Sequence, residues 1–162
     1  MKTFVLAPMS PLIRRITLAL MVLPIVFVVL AILGKPPGRL PALLVVAIYA
    51  WIWLGLRPTR FIVRTDALEV VWPVKRRMIP RTEITGVRLI DRHALKSEIG
   101  WGLRVGAGGL WGAFGWLWTQ RRGIVQLYIS RTDGFVWIDR GSDRPWLITP
   151  ERPEELVRAL SV

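Results

Sequence analysis

Two uninterrupted apolar runs constrain this chain more than any other feature. Residues 16–33 (ITLALMVLPIVFVVLAIL) carry no charge in 18 positions, and residues 40–56 (LPALLVVAIYAWIWLGL) carry none in 17. A hydrocarbon core of about 30 Å is crossed by about 20 mainly apolar helical residues, with a usable range that starts at about 17. Between the runs, residues 34–39 (GKPPGR) combine turn formers with Lys35 and Arg39, as a short loop at a membrane surface requires. The pair predicts a transmembrane helical hairpin inside an N-terminal unit, residues 1–57, with a second unit over residues 58–162. Pro24 falls inside the first run, where neighbouring groups in a membrane helix can re-satisfy the carbonyl it frees. Tyr49, Trp51 and Trp53 crowd the end of the second run just before Arg57, the aromatic girdle expected where a helix leaves a bilayer.

Charge gives the hairpin a direction. Lys2, Arg14 and Arg15 precede it and Arg57, Arg60 and Arg64 follow it, while only Lys35 and Arg39 lie between the runs. The positive-inside bias places both chain ends in the cytoplasm and the short loop outside. Residues 1–15, with two prolines, read as an irregular or interfacial lead-in. No small-x-small cleavage site follows the first run, so it is expected to stay as a span rather than be removed as a signal peptide. The first 56 residues hold five cations and no acid, so 18 cations and all 11 acids fall after them, a net of +7. A basic domain held at a membrane face has the anionic leaflet as its natural partner. With no cysteine in the chain, disulfides and thiol chemistry are excluded.

Beyond Arg57 the period of the apolar residues changes from helical to two. Residues 61–64 and 68–72 flank the turn Thr65-Asp66-Ala67 and read as a β-hairpin with Leu68, Val70 and Trp72 on one face. Pro73 ends that strand, because proline cannot donate to a ladder. Residues 84–90 (ITGVRLI) form the next strand, and residues 91–98 (DRHALKSE) are polar and compatible with a short helix. Residues 123–130 (GIVQLYIS) are a strand with Val125, Leu127 and Ile129 inward. The Asp133-Gly134 turn leads into residues 135–139 (FVWID). Another turn over residues 140–145 feeds Trp146-Leu147-Ile148. Pro153 suits a first helical position, Glu154 and Glu155 complement a helix N-terminus, and Leu156 and Leu160 share a face, giving a short amphipathic C-terminal helix. The fold class is therefore an α+β membrane protein. A transmembrane hairpin is followed by a small barrel or sandwich of six or seven short strands, capped by one C-terminal helix.

That order, a small β-domain closed by a single helix, resembles the pleckstrin-homology (PH) fold. Together with the hairpin it is similar to bacterial PH proteins found behind transmembrane hairpins. The likeness is carried by the opening hairpin at residues 61–72 and by residues 77–84 (RMIPRTEI) as an I-P-x-x-x-I link. Residues 108–115 (GGLWGAFG) ahead of the strand at 123–130 belong to it, as do Ile148-Thr149-Pro150 and residues 153–156 opening the last helix. It covers residues 59–160. The resemblance implies the fold far more than an activity, and it carries over no phosphoinositide site.

The residues themselves offer no reaction centre. The single histidine, His93, stands in a polar stretch, and the acids are spread singly apart from Glu154-Glu155. Neither Gly-x-Ser-x-Gly nor His-Glu-x-x-His occurs, so no catalytic residue, metal ligand or cofactor is assigned. Residues 100–118 (GWGLRVGAGGLWGAFGWLW) hold seven glycines and four tryptophans. They lack the Gly-Lys-Ser/Thr of a phosphate loop. Two readings of this segment stand: a glycine-bent strand whose tryptophans fill the domain, or an interfacial loop with Trp111, Phe114, Trp116 and Trp118 at the headgroup level. Two readings also stand for the basic clusters Lys75-Arg76-Arg77 with Arg81, and Arg121-Arg122. They are solvated turns, or they dock on anionic lipid at about 1 kcal/mol per cation. Lys75, Arg76, Arg77, Arg81, Trp111, Phe114, Trp116 and Trp118 are thus the candidate lipid- or partner-binding residues. Arg14, Arg15, Trp51, Trp53, Arg57 and Arg60 are the candidate interface anchors. The expected partners are membrane lipids and a membrane protein; without a helix-turn-helix or an RNA-binding aromatic motif, nucleic acid is not expected. The expected role is a membrane-anchored binding or scaffold module at the cytoplasmic face of the bacterial plasma membrane that the resemblance implies. The alternative is an accessory subunit of a membrane enzyme or transporter complex, without activity of its own.

Overall fold

A strand precedes both long helices, and the chain returns to it after them. The computed structural model describes residues 1–141 and 143–161. Strand β1, Lys2–Val5, pairs antiparallel with β2, Arg60–Val63, with Phe4 opposite Phe61. The expectation of an irregular lead-in over residues 1–15 is corrected here. Phe4, Leu6 and Ala7 are buried, and the backbone after β1 stays stitched to the β-domain. The Leu6 amide donates to the Thr59 carbonyl at 3.1 Å and the Ala7 amide to the Thr149 carbonyl at 2.9 Å. The buried Ser130 hydroxyl donates to the Ala7 carbonyl at 2.6 Å. Phe4 turns inward because Thr3 and Val5 must then face out, the period of a strand.

Between β1 and β2 stand the two apolar helices. α1, Pro11–Ile32, starts ahead of the charge-free run, with Pro11 at a position whose missing N–H has no helical acceptor anyway. α2, Arg39–Trp51, continues into a π-helical turn, Ile52–Leu56. Both are long and apolar enough to cross a membrane: their windows have mean hydropathies of 2.6 and 1.8 and are only 11% buried, unlike the core helices of a soluble domain. The Tyr49 hydroxyl donates to the Leu20 carbonyl at 2.7 Å and ties one helix to the other.

Among the described residues the rest is two sheets, two short α-helices and a 3-10 turn at Arg81–Glu83. β1, β2, β3 (Ala67–Val71) and β4 (Arg76–Pro80) form an antiparallel four-stranded sheet in that order. β5 (Ile84–Ile90), β6 (Gly102–Gly108), β7 (Ala113–Thr119), β8 (Gly123–Ile129), β9 (Phe135–Arg140) and β10 (Asp143–Ile148) form a six-stranded sheet, ordered β5-β9-β10-β8-β7-β6. The β8–β10 pair is parallel. Among the described residues the part after the hairpin holds nine strands where six or seven were expected, β1 adds a tenth, and the two sheets do not close into a barrel. The expected turn over residues 140–145 includes Ser142, which lies outside the described residues, as does Val162 at the end of the second unit.

Two apolar clusters explain the layering. Leu68, Val70 and Trp72 do share a face, and they meet Phe4, Phe61, Phe114, Val136, Ile148 and Leu156 between the sheets. The C-terminal helix α4, Pro153–Leu160, adds Leu156 and Leu160 to that cluster. Val125, Leu127 and Ile129 face the other way. With Phe135, Trp137 and Leu147 they pack under α3, Arg92–Ile99, on the outer side of the six-stranded sheet. This second cluster is why the polar stretch after β5 is a helix at all: Ala94, Leu95 and Ile99 give it an apolar stripe, and the Asp91 carboxylate caps it by accepting from the Ala94 amide at 2.7 Å.

Candidate functional site

The outer face of the four-stranded sheet carries a cationic groove beside the end of α2. Cross-strand neighbours share a face, and the register aligns Val5, Arg60, Val71 and Arg76 in one row. The next row on that face is Thr3, Ile62, Glu69 and Met78. The turn from Trp72 to Lys75 folds over the end of these rows and encloses a groove of about 570 Å³ lined by Thr3, Thr59, Arg60, Trp72, Lys75 and Arg76, among others. Its place is fixed by two contacts: the Trp72 indole donates to the Leu56 carbonyl at 3.1 Å, and the Lys75 ammonium lies 5.0 Å from the centre of the Trp72 ring. Arg60, Lys75 and Arg76 are exposed. The nearest acid, Glu69, is almost fully buried and already serves Arg64, whose Nε donates to it at 2.8 Å, while Arg76 approaches it at 3.5 Å. The groove therefore keeps a positive surplus and suits a phosphate or carboxylate ligand.

The basic cluster is divided by the geometry of β4. Adjacent strand residues point to opposite faces, so Arg76 joins the groove and Arg77 does not. Arg77 lies over Trp146, 5.3 Å from its ring centre, and pairs with Asp143 at 3.7 Å. Arg140 approaches the same ring at 5.4 Å and bonds Glu83 and Asp143, each at 2.7 Å. The amide of Arg144 beside Asp143 holds that carboxyl below its usual range, with Arg140 and Arg77 adding to the effect. Arg81 donates to the Ala159 carbonyl at the end of α4. Arg77 and Arg81, two of the candidate lipid- or partner-binding residues, make contacts between the domain's own elements. Arg121 donates to the Ser97 carbonyl at 2.6 Å and Arg122 pairs with Glu98, so both brace α3. Burial between the sheets pushes the Tyr128 phenol up to about 12.

Residues 100–118 are a β-hairpin, β6–β7, whose tip rests on the long helices. Gly106 and Gly115 face each other at φ +134° and +125°, and a Cβ on either would sit 2.4 or 2.5 Å from a backbone oxygen of the opposite strand. Glycine lets the two backbones approach this closely at positive φ. At the tip, the Thr17 hydroxyl donates to the Gly109 carbonyl at 2.8 Å and accepts from the Trp111 amide at 2.9 Å. Trp111 takes a left-handed backbone, φ +58°, and packs edge-on against Trp53 at 4.8 Å and Tyr49 at 6.2 Å. Phe114 is fully buried between the sheets, as the domain-filling reading has it and not the interfacial one. Trp116 and Trp118 are exposed. The four residues thus divide between core, helix contact and open surface.

The anchors also separate. Arg14 and Arg15 stand exposed in the first turns of α1, and Trp51 is exposed on α2. Arg57 lies over Trp53 at 4.4 Å, and Trp53 also packs on Trp111. Arg60 belongs to the groove. Thr3, Thr17 and Thr59 escaped the sequence reading; Thr17 alone left a signal there, as the one polar side chain in the first charge-free run. His93 is exposed on α3, and among the described residues no three His, Cys, Asp or Glu side chains gather as metal ligands would.

A family model described as Bacterial PH domain matches residues 59–162. No curated protein matches the chain, and no solved structure does.

Proposed function

The chain belongs to the bacterial PH domain family, and on that premise we propose that it is a non-catalytic module anchored in the plasma membrane by α1 and α2. Both termini are cytoplasmic, and the module binds an anionic lipid headgroup or an acidic protein segment at the inner face. One observation carries the reading: the groove of Arg60, Lys75 and Arg76 opens beside Leu56, where the second apolar helix ends. Three cations at a charged surface are worth about 3 kcal/mol at low salt, or roughly 100-fold in affinity.

The test uses the full chain in a neutral detergent, titrated with phosphatidylglycerol or phosphatidylcholine and read by native mass spectrometry for retained lipid. Selective, salt-sensitive retention of phosphatidylglycerol, lost when Arg60, Lys75 and Arg76 are all changed to Ala, supports the headgroup reading. Equal retention of both lipids by the native chain and this variant sinks it. A second reading, an accessory subunit of a membrane enzyme or transporter complex, is favoured by an apolar crevice of about 540 Å³ between α1 and α2, lined by Val28, Ala31, Ala42 and Val46. Stoichiometric co-purification with one membrane complex would support that reading.

A further inference from the structure

An apolar surface of the six-stranded sheet stands open at β6. In β6, six of the seven residues are exposed, and the strand forms the open edge of the six-stranded sheet. The register sets Leu103 beside Trp118 and Trp118 beside Ile124, with Val105 beside Trp116 in the next row. Directly opposed residues share a face, so these five side chains form one apolar patch, each between 37% and 58% exposed. In the next row on that face Phe114 and Tyr128 already belong to the core between the sheets, and the paired glycines Gly106 and Gly115 lie between the two regions. Monomers rarely leave a contiguous apolar patch of this kind uncovered.

We infer that the β6–β7 ribbon lies in the headgroup layer of the membrane, with Leu103, Val105, Trp116, Trp118 and Ile124 turned toward lipid. The partner this face fits is the bilayer surface itself. The inference rests on reading α1 and α2 as membrane spans. Two observations favour lipid over a protein, and a third sets the depth. The ribbon is already fixed to the spans: its tip touches Ile16, Thr17 and Leu20 of α1, and Trp111 packs on Trp53, which sits under Arg57. A bilayer around those helices is within reach without the loss of translational freedom that recruiting another molecule costs. The charge also fits. Residues 99–132 contain no Asp or Glu in 34 positions, but four Arg and four Trp, the composition of an interface with anionic headgroups. Finally, the outward N–H and C=O groups of β6 limit the depth. Hydrocarbon cannot satisfy them, whereas water and headgroups can, so the ribbon stays in the interfacial layer.

The natural absence of cysteine makes the test direct. Leu103→Cys, Val105→Cys and Ile124→Cys are each given a spin label in the full chain. The chain is reconstituted in vesicles of phosphatidylcholine and phosphatidylglycerol, and each label is read for collision with oxygen and with a water-soluble nickel chelate. Leu23→Cys in α1 supplies the lipid reference and Thr65→Cys in the β2–β3 turn the aqueous one. The expected result is an oxygen-to-nickel ratio at 103, 105 and 124 several-fold above that of Thr65→Cys and below that of Leu23→Cys. Ratios equal to that of Thr65→Cys, with Leu23→Cys still in lipid, overturn the ribbon's placement while leaving the spans intact. A water-like Leu23→Cys overturns the spans and the ribbon's placement together. Dipolar broadening between labels at 103 on two chains overturns it in favour of a second copy pairing along β6.

Discussion

Phe4→Ala is the sharpest probe of how this chain is built, because it removes a ring contributed from the far side of the helical hairpin. Phe4 is 2% exposed and lies opposite Phe61, in a cluster that includes Val70, Val136 and Leu156. Burying an aromatic ring covers about 150–250 Å², worth about 4–6 kcal/mol at 25 cal/mol per Å². Truncation to alanine keeps Cβ but leaves a cavity, and measured Phe→Ala costs run at about 3–5 kcal/mol. A domain's entire stability is about 5–15 kcal/mol, so the change is severe. For a domain of this size it corresponds to a fall in Tm of roughly 10–20 °C. The assay is thermal unfolding of the full chain in neutral detergent, followed by near-ultraviolet circular dichroism of the tryptophans. The companion Val5→Ala alters the next residue, whose side chain is 46% exposed on the opposite face, and should shift stability by no more than about 0.5 kcal/mol. If the two variants unfold together, or neither moves, β1 is no part of the domain's core. A fragment starting at Arg60 lacks this strand and its ring, and is expected to unfold well below the full chain.

Other outcomes follow from the same contacts. Gly115→Ala places a Cβ 2.5 Å from the Val105 carbonyl oxygen at a positive φ, and should cost about 1–3 kcal/mol by thermal unfolding; Gly123→Ala, with open space around it, should cost less. Thr17→Val leaves the Trp111 amide and Gly109 carbonyl without their partner, at about 1–3 kcal/mol for each group, and should raise amide exchange at the hairpin tip while Thr17→Ser does not. Tyr128 binds its proton more tightly folded than unfolded, so its contribution is complete below pH 10 and is lost as pH rises through about 12. The native chain should therefore lose about 3 kcal/mol across that window in denaturant titrations, a loss that Tyr128→Phe removes.

What could be read from the sequence was what is encoded locally. The helices announce themselves through charge-free runs of span length, and the β2–β3 hairpin through alternation about a polar turn. The C-terminal helix shows its Pro153 and its Leu156–Leu160 spacing. β1 did not show, because four residues of KTFV carry little periodicity and their partner strand lies beyond both helices. The glycines and tryptophans of residues 100–118 left two readings open, and the structure divides the residues between them: Phe114 fills the core while Trp116 and Trp118 stand exposed. Trp111 could not be placed either, since the hydroxyl that holds its amide is 94 residues earlier in the chain. The basic cluster was half legible. Alternation along a strand already separates Arg76 from Arg77, but only the register shows that Arg76 shares its row with Arg60.

These non-local contacts give the groove its meaning. A binding site on a flexible tether samples every orientation above a membrane, and much of the affinity its cations offer is lost to that freedom. Here the chain enters α1 from a strand already paired into the β-domain and leaves the second helix directly into the partner of that strand. Thr17 and Trp111 add a third attachment, between the helices and the six-stranded sheet. With three attachments the domain cannot swivel on its anchor. Loosening one of them should therefore weaken phosphatidylglycerol retention without touching a cation in the groove. Thr17→Val is the variant that separates the two effects: lower retention with Arg60, Lys75 and Arg76 intact would mean that the groove works because it is aimed. Unchanged retention alongside faster exchange at the tip would mean that charge alone suffices.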